Sequence, residues 1–304
     1  MKNLPTTEER IWSVLAHLSA IAFGMGILLP VIGWSEQRRK SNYASFQCLQ
    51  ALGYQSLGYT VWLLAYLVLV IVLVVVLTIS LGFMGQGNNI SGSIVGIWTG
   101  IFFFVIFGAL GLYFLLPVIA AIACALGKDF RYPIMGNRLA RYLGFETLES
   151  SAEPTWLVED HEDRWVAAMG HFSVIIVIWG LIAPLTAWIL QGKRSLFLKF
   201  QSIQTLVYQA GVTILFFGAG VIYMFGFFLF IVMTGFGKNM SELNSSVGIV
   251  GLVFLFGSML IALIIILFLP LFHILGQWAG YRVLKGDDYH YPILGKLVEE
   301  RIVK

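Results

Sequence analysis

Six apolar blocks limit what this chain can fold into. They lie at about residues 11–34, 46–80, 93–126, 165–190, 200–235 and 247–284, and none contains an Asp or a Glu. An apolar run longer than about 18 residues reads as a membrane-spanning helix. Only 12% of the chain is charged and 59% is hydrophobic, whereas soluble domains carry roughly 25% charged residues. A transmembrane β-barrel needs segments of roughly ten residues with alternating polarity, and the sequence has none. The expectation is an all-α integral membrane protein.

The blocks come in two sets of three. Residues 9–55 align without a gap on 163–209, with fifteen identities in 47 positions. Shared Leu and Ile carry little weight in lipid-facing helices. Shared Arg10/Arg164, His17/His171, Pro30/Pro184, Trp34/Trp188 and four glutamines carry more, because polar residues inside a membrane are costly to keep. Pro117 and Pro270 also read as a match, with six extra residues in the second copy before its Tyr-Pro. Residues 127–133 align with 286–292. The domain reading is a first membrane module at 1–143, an acidic linker at 144–161 and a second membrane module at 162–304.

Charge sets the number of crossings. Arg38, Arg39 and Lys40 follow the first block, and Lys193, Arg194 and Lys199 follow its counterpart. Lys128, Arg131, Arg138 and Arg141 follow the third block, and Lys285, Lys296, Arg301 and Lys304 follow the sixth. The outer loops, about 81–92 and 236–246, hold a single basic residue, Lys238. Basic residues favour the cytoplasmic side, so both modules should share one orientation and each should cross an even number of times. The first block of each must then enter and leave on one face. Gly24, Gly26 and Gly180 near its middle permit a turn, and Pro30 and Pro184 break a helix. The expectation is a re-entrant helical hairpin, with arms near 10–23 and 27–36, followed by two long transmembrane helices. A straight, proline-kinked span is the alternative. The termini and linker are expected in the cytoplasm, as parts of a multi-pass protein of the cell (inner) membrane.

Few residues could carry chemistry. The sequence has no metal-ligand spacing, no phosphate loop and no nucleophile elbow. Cys48 and Cys124 make no disulfide framework. No catalytic residue, metal or cofactor is expected, and no basic tract suits nucleic acid. Gln47, Gln50 and Tyr54 lie on one helix face, as do Gln201, Gln204 and Tyr208. His17 is expected to meet Gln47 or Gln50, and His171 to meet Gln201 or Gln204. These groups either hold the hairpin against the second block or line a polar path. Trp34 and Trp188 read as interfacial anchors, as do the Tyr132-Pro133 and Tyr291-Pro292 turns.

Glu9-Arg10-Ile11-Trp12, Ala16-His17-Leu18-Ser19, Phe46-Gln47 and Phe130-Arg131-Tyr132-Pro133 together resemble a bacterial membrane family of unknown function. That family is grouped with the Tic-twenty-type channel subunit of the chloroplast inner-envelope translocon. The resemblance covers nearly the whole chain as two tandem modules and implies a transport or translocation component, with the bilayer and a translocated substrate or other membrane proteins as partners. An accessory or scaffold protein that binds other membrane proteins is the alternative reading, and a membrane enzyme a third.

Overall fold

The computed structural model describes residues 4–84, 90–145, 159–235 and 246–302. All regular structure among them is helical, and the module is duplicated. The first copy contains α1 (Thr7–Leu18), a tight 3₁₀ segment (Ser19–Ile27), α2 (Leu28–Gln37), α3 (Asn42–Met84), α4 (Ile90–Ala125) and a short α5 (Met135–Leu143). The second contains α6 (Glu159–Phe172), a 3₁₀ segment (Ser173–Leu181), α7 (Ile182–Gln191), α8 (Leu196–Thr234), α9 (Ser246–Leu284) and α10 (Leu294–Ile302). The outer turns and most of the acidic linker fall outside the described residues. Residues 159–161, assigned to the linker from sequence, form the first turn of α6.

Five described segments are long and apolar enough to cross a bilayer, at 7–37, 96–125, 159–191, 196–234 and 246–284. The first and third of these are not straight. Gln37 Nε2 donates to Glu8 Oε1 over 2.9 Å, 29 residues apart in sequence. Helices rise about 1.5 Å per residue, so only a chain that doubles back can make that bond. Thr6 starts α1 as a capping box with Glu9, which satisfies amides that helix geometry leaves free.

The turn differs from the glycine-centred one expected. The residues with left-handed φ are Phe23 (φ 53°) and Val177 (φ 51°), a conformation that strains any side chain. Gly26 and Gly180 serve close approach instead. A Cβ on Gly26 would lie 2.0 Å from the Ser19 carbonyl oxygen, and one on Gly180 would lie 2.2 Å from that of Ser173. Gly24 lets the two hairpins touch, because a Cβ there would lie 2.7 Å from Trp179. Pro30 and Pro184 do not break a helix. Each is the third residue of its arm, in the first turn where an amide hydrogen has no intrahelical partner to lose.

The long helices form two pairs, α3 with α4 and α8 with α9. Their outer portions expose Val61, Ile71, Phe104, Ile214, Val253 and many similar side chains. Such surface suits lipid, not water. The packed core lies at the other end, where the hairpins, α5, α6 and the N-terminal turns of α3 and α8 converge. Trp34, Phe46, Leu49, Leu52, Met169 and Leu198 meet there, all fully or almost fully buried. Trp34 is therefore a core residue, not an interfacial anchor; Trp188 is 39% exposed.

The modules meet through the short arms α2 and α7, and through α6 lying on α3. The indole of Trp165 donates to the Leu49 carbonyl over 2.9 Å. Gly53 makes the room: a Cβ there would lie 2.4 Å from the Trp165 ring. Arg38 locks this contact. It is 9% exposed, pairs with Glu162 at 2.8 Å and Asp163 at 2.7 Å, and lies over the Trp34 ring. The first arginine of the basic loop is thus a buried tie between modules.

Replacing Gly26 by Ala should lower stability by about 1–3 kcal/mol, since the new methyl meets backbone that cannot move aside. Gly100→Ala, in open space on α4, should leave it unchanged. Thermal unfolding in detergent reads both.

Candidate functional site: two buried histidine–glutamine–tyrosine boxes

Each module contains one closed polar network, built from the same residue types. In the first, His17 on α1 points at α3. Its Nε2 lies 3.0 Å from Gln47 Oε1, and its Nδ1 lies 3.0 Å from the Tyr132 hydroxyl. An amide oxygen can only accept, so Nε2 carries the hydrogen, and in the neutral ring Nδ1 is then bare and accepts from the tyrosine hydroxyl. Gln47 Nε2 donates to Asp129 Oδ1 and to the Phe130 carbonyl, both at 3.1 Å. Gln50 Nε2 donates to Gln47 Oε1 at 3.2 Å and to the Phe130 carbonyl at 2.9 Å, and Gln50 Oε1 accepts the Tyr132 amide at 2.9 Å. The box therefore ties α1 and α3 to the turn that follows α4.

The second module repeats it. His171 Nε2 lies 3.0 Å from Gln201 Oε1 and His171 Nδ1 lies 2.9 Å from the Tyr291 hydroxyl. Gln201 Nε2 donates to Asp288 Oδ1 at 2.9 Å and to the Tyr289 carbonyl at 3.1 Å. Gln204 Nε2 donates to Gln201 Oε1 at 2.6 Å and to the Tyr289 carbonyl at 2.7 Å. Thr205 adds a hydroxyl 3.0 Å from His171 Nδ1, where the first module has Ala51.

Tyr54 and Tyr208 close the boxes from one side. Tyr54 stacks on Tyr132 at 4.1 Å and Tyr208 on Tyr291 at 4.0 Å between centroids. Their hydroxyls donate to the Tyr113 and Phe272 carbonyls at 2.8 and 2.7 Å. Gln55 and Gln209 fasten the hairpin separately. Gln55 Nε2 reaches the Ala16 carbonyl and Ser19 Oγ, and Gln209 Nε2 reaches the Gly170 carbonyl and Ser173 Oγ.

These bonds also correct the alignment of the later helices. Tyr113 precedes Tyr132 by 19 residues, and Phe272 precedes Tyr291 by 19. No insertion separates the box from this point of the helix. Pro117 therefore corresponds to Gly276, and its apparent match to Pro270 is a coincidence of type.

His17, Gln47, Gln50, His171, Gln201 and Gln204 are all 0% exposed. Asp129 sits at the edge, outside the spans. Burial, the larger effect, raises its carboxyl above the ordinary range, and Arg131 at 3.1 Å opposes that. The sequence pointed to the histidines and glutamines but not to Asp129 or Asp288, nor to Tyr132 and Tyr291, which it had placed in interfacial turns. Among the described residues no group of three or more His, Cys, Asp or Glu could hold a metal ion.

A family model for the magnetosome magnetite crystal formation protein family matches residues 8–139 and again 162–298. The chain belongs to this family. The match accounts for the two tandem modules and for the family resemblance at that level; it does not carry the relation to the Tic-twenty-type channel. No curated protein and no solved structure matches the chain.

His17→Phe removes both ring nitrogens and leaves the buried Tyr132 hydroxyl without its acceptor. Stability should fall by about 1–3 kcal/mol. His171→Phe should act in the same direction, and the double variant should sum the two losses, because the boxes share no residue. Denaturation in detergent gives all three; an unshifted midpoint would show that the boxes hold nothing.

Proposed function

We propose that this protein is a non-enzymatic structural component of the membrane around a mineral-forming compartment, shaping crystal formation by what it holds in place and not by moving a substrate. The crystal-formation part comes from the family description. The observation that carries the rest is the state of His17 and His171: each ring is 0% exposed and has both nitrogens engaged. The box histidines and glutamines, which could have lined a path, are instead partnered by neighbours inside each module. Buried networks of this kind fix helix register. Apolar side chains, Trp34, Ala183 and Ala187 among them, pack where the modules meet, and the buried Arg38 there is paired with Glu162 and Asp163.

The membrane placement belongs to the same proposal. Both hairpins are re-entrant. Their tips present Ile21, Phe23, Met25, Ile178 and Trp179, all more than one-third exposed, as a loop dipping into lipid would. Their covered face packs on α3 and α8, which shields turn backbone from the hydrocarbon. The Arg38–Lys40 and Lys193–Lys199 turns, the linker and both termini face the cytoplasm. Four long helices then cross the bilayer, two per module.

Two measurements test this, one in cells and one on the purified protein. Deleting the gene in a magnetite-forming cell should change crystal size or shape, and the wild-type copy should restore it. The purified protein in liposomes should give iron and proton fluxes equal to those of empty vesicles. Unchanged crystals would contradict the crystal role, and protein-dependent flux would contradict the structural one.

A further inference from the structure

The two modules differ most where α3 meets α4. An open cleft of about 820 Å³ lies between them, roofed by the Tyr132–Ile134 turn and α5, with Trp165 and Leu284 of the second module also on its lining. Leu57, Gly58, Ala65, Ala109 and Leu112 give it an apolar wall. That volume is in the range of sites that hold a sizeable ligand. Arg138 lines its mouth and is exposed. The neighbouring arginines are engaged, Arg131 with Asp129 and Asn137 and Arg141 with the Asn137 carbonyl, and Lys128 does not line the cleft. Arg138 makes no hydrogen bond or ion pair among the described residues.

The second module has neither half of this arrangement. Counting from its Tyr-Pro turn, Leu297 stands where the first module has Arg138, and Phe268 where it has Ala109. Counting along α8, Val212 stands where α3 has Gly58. The helices α8 and α9 press together, with Gly226 against Ser258 and Gly251 against Phe230. A smaller recess of about 430 Å³ farther along α8 and α9 is lined by no charged residue. The large cleft and a cation that lines it therefore occur together in the first copy, while Lys296 on α10 of the second lines no such cleft.

We propose that the first module binds one anionic phospholipid, its acyl chain in the α3–α4 cleft and its phosphate on Arg138. Charge and position select the occupant. The cleft opens on the lipid-facing side of the helices, and its one cation lies on α5, in the segment that follows the basic end of α4, at the level of a headgroup. Basic side chains at that level attract anionic headgroups. A zwitterionic lipid offers the same chains but no net charge.

Native mass spectrometry of the full chain in mild detergent, with equimolar phosphatidylglycerol and phosphatidylethanolamine added, tests this. The wild type should retain one phosphatidylglycerol, favoured by about fivefold. Arg138→Leu, which installs the second module's residue, should abolish the preference, and Arg138→Lys should keep it. Ala109→Phe, likewise copied from the second module, should reduce retention of both lipids by filling the cleft. Thermal unfolding of each variant alongside confirms that the fold persists. Equal retention of the two lipids by the wild type would overturn the proposal. So would an unchanged preference in folded Arg138→Leu, or unchanged retention in folded Ala109→Phe.

Discussion

An imidazole ring between two helices is the constraint on which each half of this molecule depends. His17 and His171 each bring together three parts of the chain that are distant in sequence: the first hairpin arm, the start of the next helix and the turn after the module's last long helix. A single interhelical hydrogen bond in a membrane contributes only about 0.6–2 kcal/mol. The box works as a set, because removing any member leaves others buried and partnerless, at a cost larger than the bond itself. Its geometry is also directional. Gln50 accepts the Tyr132 amide, so the chain leaving α4 is held at one residue and one height. That bond and the packing of Leu139 and Leu143 in the core together place α5 over the cleft.

Duplication supplied two such boxes, and divergence then joined them asymmetrically. The short arms α2 and α7 meet as counterparts, but α6 lies on α3 without a comparable reciprocal contact between α1 and α8 among the described residues. Arg38 and Trp165 explain the difference. The position corresponding to Arg38 in the second module is Gly192, and that corresponding to Trp165 in the first is Ile11. Only one direction of contact has both the guanidinium and the indole. A buried ion pair is weak grounds for stability by itself, since desolvation opposes the attraction. Here Arg38 meets two carboxylates and the face of Trp34, which sets which module face packs on which.

Much of this was legible in the sequence because membrane residence makes polar residues conspicuous. The duplication and the pairing of each histidine with a glutamine rest on such residues, and the helical class on the long apolar blocks that carry them. The tyrosines that finish the boxes were hidden, because a Tyr-Pro after a greasy helix has the look of an interfacial anchor. The turn was misplaced within the hairpin: glycine suggested conformational freedom, yet Phe23 and Val177 take the unusual φ while Gly26 and Gly180 give clearance. Trp34 was misread for a different reason. Its burial depends on the other module, a non-local contact with no local signature. The Pro117–Pro270 equivalence failed because a shared residue type was given more weight than the constant spacing to the Tyr-Pro turn.

The tautomer of the two box histidines tests the central claim most directly. With ¹⁵N-labelled histidine in lipid nanodiscs, and with His161, His273 and His290 identified by substitution, nitrogen NMR separates protonated from bare ring nitrogens. The geometry predicts that His17 and His171 are each neutral near pH 7, with the hydrogen on Nε2 and slow exchange with water. A doubly protonated ring, or a hydrogen exchanging rapidly with solvent at either residue, would contradict a sealed box and return these side chains to the surface of a wet path.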